Sequence, residues 1–335
     1  MQRLSGVPFE PWLLERIQAA RHIVLSTHVG PDADGLGSQL AFVRAARATG
    51  RTAVVVNEDP LPQRYAWLDP AGDIGHFDRD AARLADVDFA LLFDTHEVDR
   101  AGRPAQALRQ AGVDVWVVDH HAVKPDLDLQ GCVATEFSSS GELVFRLLHA
   151  LNWPIDAVAA RALYAAMSFD TGSFRFLRNQ SNTLRVAADL LDTGFDANPV
   201  QEALFASRTR AETLLLGRVL AQMQFAGNGR IAWAALGPEI GEGLTLADDA
   251  IGETIPHFVG VEGVFVAMQL KPSRKPGDWK LSLRSKAAVK IGDVARHFGG
   301  GGHEHAAGAT LQGEKDQLAA QVLAMLEKTV ADQLG

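Results

Sequence analysis

Short apolar runs alternate with helix-like stretches through the first half of the chain. Residues 22–26, 52–57, 87–93 and 113–118 read as buried strands, with a shorter one at 132–134. Helices are predicted over 36–49, 79–85, 102–111, 141–151, 155–168 and 181–193. Such alternation implies a mostly parallel sheet with helices on both faces. Gly194 reads as a helix C-cap, and two further helical stretches lie near 198–206 and 209–224. They are not rich in Gly or Ser, so they read as a connector rather than a flexible linker. Beyond Gly227 the texture changes. Strand-like alternation appears at 230–236, 263–271 and 280–285, with helices near 248–258, 291–298 and 314–333. The last of these is amphipathic over 316–334 and should pack its apolar face on the second sheet. The expected fold class is α/β: a mostly parallel-sheet domain at 1–193, a helical connector at 194–226 and a smaller α+β domain at 227–335. There is no tandem repeat and no low-complexity segment.

Each of several apolar runs ends in residues that can bind metal. The run 113–118 hands over Asp119-His120-His121. The first strand runs into a loop that holds His28, Asp32 and Asp34 within seven residues. Phe89–Phe93 delivers Asp94, and Met167-Ser168-Phe169 leads to Asp170. One such Asp is ordinarily an N-cap or a turn residue. Four clusters at what should be one sheet edge, with His among them, point to a shared metal site, because open α/β sheets place their sites outside the strand ends. In an extended loop Asp32 and Asp34 would point in different directions, one to each of two ions. His28, Asp32, Asp34, Asp94, His120 and Asp170 make four carboxylates and two imidazoles, too many for one divalent ion. Two cations about 3.5–4 Å apart, bridged by one carboxylate and a water, use them well. Mixed N/O ligation without thiolate suits Mn2+. A water between two such cations becomes a usable nucleophile at neutral pH, and a phosphoester is the substrate such a pair would clamp.

Composition narrows the setting. With 335 residues, 47% hydrophobic and 22% charged, the chain has core enough for two domains. It shows no apolar run long enough to cross a bilayer and no signal-peptide pattern, and its single Cys132 cannot form an internal disulfide. These features point to the cytoplasm, with no membrane partner. The net charge of −9 argues against a long nucleic-acid track. Locally, seven basic residues against Asp278 between Lys271 and Lys290 form a stripe that could bind phosphate. Nearby, Gly299-Gly300-Gly301-Gly302-His303-Glu304-His305 could expose backbone N–H groups to a phosphate, with His303 as a substrate contact.

These residues together resemble the DHH/DHHA1 phosphoesterase superfamily, in particular its NrnA-like branch of oligoribonucleases (nanoRNases) and pAp phosphatases. The resemblance spans nearly the whole chain. It rests on His28…Pro31-Asp32-Ala33-Asp34-Gly35, Asp94-Thr95, Asp119-His120-His121, Asp170-Thr171-Gly172-Ser173, Ser282-Leu283-Arg284-Ser285 and Gly299–His305…Gly308, in that order. It implies that His28 and Asp32 bind a first metal, that Asp34, His120 and Asp170 bind a second, and that Asp94 bridges both. It implies catalytic support from Asp119, as a brace or a partner of an imidazole, and from His121, facing the scissile phosphate. Arg284, Ser285, Gly300, Gly301, Gly302 and His303 would hold substrate from the DHHA1 side of an interdomain cleft. The expected activity is Mn2+-dependent hydrolysis of short RNA or DNA oligonucleotides to 5′-mononucleotides and dephosphorylation of pAp. Alternatives are a cyclic di-AMP or pApA phosphodiesterase, a RecJ-like single-strand exonuclease, and a nucleotide-binding regulator without catalysis. A homodimer is compatible with the sequence.

Overall fold

The apolar runs become strands because both faces of the first sheet are covered. The computed structural model describes residues 9–121, 130–178, 180–246, 250–273, 275, 277–302 and 304–335. The chain divides into two compact units, Met1–Ser207 and Arg208–Gly335. In the first, the strands are β1 (His22–Ser26), β2 (Thr52–Asn57), β3 (Ile74–His76), β4 (Phe89–Phe93), β5 (Val115–Asp119) and β6 (Gly131–Val133). They form one sheet in the order β3-β2-β1-β4-β5-β6, and every pairing is parallel. Helices α1 (Pro11–Ala19), α2 (Ala33–Ala48), α3 (Phe77–Asp80), α4 (Gly102–Gln110), α5 (Ser140–Ala150), α6 (Ala157–Asp170), α7 (Gln180–Leu191) and α8 (Asn198–Phe205) complete this unit. The strand order reverses between β1 and β4, and such a switch point opens a crevice beyond the carboxyl ends of its strands.

One core joins the sheet to α2, α5 and α6 through Phe42, Phe89, Phe93, Phe145 and Leu163. Gly37 on α2 lets the two helix backbones meet: a Cβ there would lie 2.4 Å from the carbonyl oxygen of Ala162 on α6. Cys132 is buried in β6, and burial pushes its thiol up to about 12, which suits a small apolar residue rather than a nucleophile.

The second unit holds α9 (Arg210–Ala221), β7 (Gln224–Ala226), β8 (Ile231–Ala235), α10 (Pro256–Val259), β9 (Val266–Pro272), β10 (Asp278–Ser285), α11 (Gly292–His297), β11 (Gly301–Gly302), β12 (Ala306–Gln312) and α12 (Lys315–Leu334). Its sheet runs β11-β12-β10-β9-β8-β7 and is antiparallel except for β8 with β9. Leu318, Val322, Leu326 and Val330 bury the apolar face of α12, as its periodicity predicts.

Several elements differ from the sequence reading. The helix expected at 79–85 is the single turn α3 followed by a 3-10 turn, Ala81–Leu84. Within 248–258 the described residues form a 3-10 turn, Gly252–Thr254, and α10. The two stretches read as a connector, α8 and α9, fall one in each unit. No described helix is long and apolar enough to cross a membrane.

Candidate metal centre

Three strand ends and two helix ends build the centre. The loop after β1 supplies His28 and Asp32. Asp32 is the N-cap of α2, which begins at Ala33, three residues earlier than expected. Its Oδ1 accepts from the N–H of Asp34 at 2.9 Å, and its Oδ2 lies 3.9 Å from Nε2 of His28. Asp34 therefore stands in the first turn of α2, not in an extended loop. Its carboxylate accepts the backbone N–H of Ser140 (2.7 Å) and Gly141 (2.8 Å), at the N-terminus of α5. Orphan N–H groups at a helix start favour a nearby anion. Asp170 is the last residue of α6, so this candidate ligand comes from a helix end.

Asp94 directly succeeds β4 and has φ of 62°, a left-handed conformation that Asp tolerates better than most residues. It is only 2% exposed and sits among imidazoles. Oδ2 is 3.4 Å from Nε2 of His28, and Oδ1 is 3.6 Å from both Nε2 of His120 and Nδ1 of His121. Ser140 donates its hydroxyl to the same Oδ1 at 3.1 Å. Nε2 of His120 also faces Asp170 at 3.2 Å and Asp34 at 3.7 Å. Three groupings thus have ligand atoms within reach of one another: His28, Asp32 and Asp94; Asp34, His120 and Asp170; and Asp94, His120 and His121.

Burial and mutual repulsion shape the charges of this cluster. Burial raises the Asp32 carboxyl to about 7, reinforced by Asp94. Burial and the charge of Asp94 also push Asp34 well above its ordinary value, and Asp170 moves up chiefly by burial. Burial alone would raise Asp94 as well, but the surrounding imidazoles hold it below the usual carboxylate range. Burial opposes the charged form of His28, yet Asp94 and Asp32 outweigh it and lift the imidazole to about 9. Nδ1 of His28 is 2.9 Å from the carbonyl of Val29. A proton on Nδ1 satisfies that carbonyl and aims the Nε2 lone pair at the carboxylates, the tautomer a metal ligand needs. Nε2 of His120 is buried and has no hydrogen-bond partner among the described residues. A buried orphan nitrogen facing three carboxylates fits a divalent cation.

Beside these residues lies a chain of hydrogen bonds in which the sequence reading named Asp119 and His121 but not His96. Asp119 accepts the backbone N–H groups of His120 and His121, and its two oxygens hold the rings of His121 (2.7 Å) and His96 (2.6 Å). His96 is buried two residues beyond Asp94, and that spacing was its only signal. Arg178 donates to the carbonyl of His120 at 3.0 Å. Ser140 was hidden in a Ser-x-x-Glu capping pattern, Ser139 to Glu142.

In the second unit, Arg284 and Gly300, Gly301 and Gly302 line a cavity of about 520 Å3, together with Lys280 and Ser282. Ser285 does not line it; its hydroxyl donates to the carbonyl of Val289 and lies 3.0 Å from Nδ1 of His305. Gly301 and Gly302 are not a loose loop but β11, paired with Gly308 and Ala307. Gly302 has φ of 125°, and a Cβ there would meet the carbonyl of Ala306 at 2.6 Å, so only glycine fits. The basic stripe is not one surface: Lys271 is buried in β9, and Lys290 pairs with Glu304. His303 and Arg274 lie outside the described residues.

Carboxylates and imidazoles gathered at a sheet switch point, with no thiolate, are the equipment of a metal-dependent hydrolase. Comparison with known proteins agrees. The DHH family N-terminal domain matches residues 22–167, and the DHHA1 domain matches residues 257–332. The chain is 32% identical to the bifunctional oligoribonuclease and PAP phosphatase NrnA of Thermus thermophilus, over 90% of its own length and 88% of that protein. It is 28% identical over 92% of its length to the A-adding tRNA nucleotidyltransferase of Geobacter sulfurreducens, but spans only 34% of that longer protein. An exopolyphosphatase-related protein from Bacteroides fragilis shares the fold, with a TM-score of 0.87 at 23% identity over 94% of both chains. The chain belongs to the DHH–DHHA1 family of phosphoesterases. It is a hydrolytic, metal-dependent enzyme.

Proposed function

We propose that the enzyme hydrolyses short oligonucleotides to 5′-mononucleotides and removes a phosphate from pAp, using two divalent cations, best met by Mn2+. The observation that carries this reading is that the grouping of His28, Asp32 and Asp94 adjoins that of Asp34, His120 and Asp170, with Asp94 Oδ1 3.6 Å from Nε2 of His120. Support for the substrate comes from the Thermus thermophilus relative, whose name specifies both activities.

In this reading His28 and Asp32 hold one cation, Asp34, His120 and Asp170 hold the other, and Asp94 serves both. Bound there, the cations would polarise a phosphoryl oxygen and lower the pKa of water. The protein's own groups do the rest. Asp119 keeps a proton on Nδ1 of His121, and His121 presents Nε2 to exchange a proton at the scissile phosphate. His96 steadies the other oxygen of Asp119. Arg284, with the glycines of β11, binds a further phosphate or base in the second unit's cavity.

The test is turnover of a dinucleotide, longer RNA and DNA, pAp and cyclic di-AMP side by side with Mn2+. The reading expects di- to tetranucleotides and pAp to turn over fastest. Preferred cleavage of cyclic di-AMP, processive digestion of long single strands, or binding without turnover would each replace it.

A further inference from the structure

The segment after Asp170 holds one aromatic ring, that of Phe176, in solvent. Gly172, Ser173 and Phe174 have φ of 57°, 61° and 61°, three successive left-handed residues. For a bulky Phe this conformation is costly, and it persists only where surrounding bonds enforce it. They do so here. The N–H of Ser173 donates to the carbonyl of Ser168 (2.7 Å), and its hydroxyl to Gln201 (2.9 Å). The N–H of Phe174 donates to the hydroxyl of Thr171, and its ring packs on Tyr164, with centroids 5.4 Å apart. The N–H groups of Arg175 and Phe176 both donate to the carbonyl of Thr171 at 3.0 Å, and Arg175 Nε returns to the carbonyl of Gly172.

Phe174 is thereby turned inward and Phe176 outward. Phe176 is 72% exposed, the most exposed of the large hydrophobic side chains among the described residues. Both ends of the segment are tied to one metal-centre residue: Asp170 faces Nε2 of His120 at 3.2 Å, and Arg178 donates to the His120 carbonyl at 3.0 Å. The segment that carries the ring is thus anchored at both ends to His120 of the metal centre.

We infer that Phe176 is a nucleobase platform: the base next to the scissile phosphate stacks on its ring. The inference rests on the nucleotide reading above and adds to it a residue that selects nucleosides over plain phosphoesters. Stacking on an aromatic face needs no hydrogen-bond code, so it would tolerate any base. Arg175, its guanidinium 5.8 Å from the ring centroid, adds a cation at the same edge.

The experiment compares KM for a dinucleotide with KM for the same dinucleotide carrying an abasic ribose at its 5′ or its 3′ residue. In the wild-type enzyme one abasic analogue should bind roughly five- to a hundredfold more weakly, the range for loss of one stack. Phe176→Ala should remove most of that preference by raising KM for the intact dinucleotide, with kcat little changed, and Phe176→Trp should restore it. A preference that survives Phe176→Ala overturns the inference while leaving the nucleotide reading intact. So does a Phe176→Ala protein whose sedimentation changes with no shift in the KM ratio, which would make the ring part of a protein interface. Failure of wild-type enzyme to cleave any dinucleotide would instead sink the nucleotide reading itself.

Discussion

Asp94 gathers three imidazoles and the Ser140 hydroxyl around one carboxylate, which makes it the hub of the centre. The acids around it are protonated more readily than usual, and this has a consequence for stability. The Asp32 carboxyl moves from 3.8 unfolded to about 7 folded, so its contribution is fully present below 3.8 and is lost as pH rises through about 7. His28 moves from 6.5 to about 9 and acts in the same sense at higher pH. Asp94, held low, acts oppositely, but its contribution is already complete above its ordinary range. The melting temperature of metal-free protein should therefore fall from about pH 5 to about pH 8. Mn2+ should flatten or reverse that fall, since cations bind the deprotonated ligands. Differential scanning calorimetry in chelator and in Mn2+ checks this; a metal-free profile that rises across the interval would contradict it. Most of these residues were legible in the sequence because they sit in short motifs beside apolar runs. His96, Ser140 and Arg178 were not, because their roles depend on which loops the packing brings together.

Among elements, the strands β1, β2, β4 and β5 could be read from sequence because burial on both faces makes them continuous apolar runs. The strands β3 and β7 have three residues each, and β12 is largely Ala and Gly, too weak a pattern to read. The more telling case is Asp170. The helix predicted over 155–168 runs on to Asp170 as α6, and its packing against α2 carries Asp170 to the centre. That packing is testable. A Cβ at Gly37 would press on the α6 backbone at Ala162, so Gly37→Ala should destabilise by about 1–3 kcal/mol. Chemical denaturation measures the loss, and the shift of α6 should also weaken Mn2+ binding through Asp170. Unchanged stability with unchanged Mn2+ affinity would show that α2 and α6 do not need this close approach.

At the scale of the molecule, one unit carries the metal centre and the other a glycine-lined cavity with Arg284. Arg284→Ala should raise KM for nucleotides by the loss of a charge-assisted contact, about 1.5–3 kcal/mol. It should raise KM for bis-p-nitrophenyl phosphate much less, and steady-state kinetics on both substrates decides it. Equal loss on both would move Arg284 into a structural role. The net charge of −9 disfavours long polyanions, so rates on 5′-labelled RNA should fall steeply beyond tetranucleotides. A rising rate with length would contradict that. In the function proposed above, Asp94 joins two ligand groupings that hold two cations. Equilibrium dialysis with Mn2+ tests it most directly. The wild-type chain should bind two ions, Asp32→Ala should lose mainly one, and Asp94→Ala should lose both together with turnover. An Asp94→Ala protein that still holds two tightly bound Mn2+ would contradict the account.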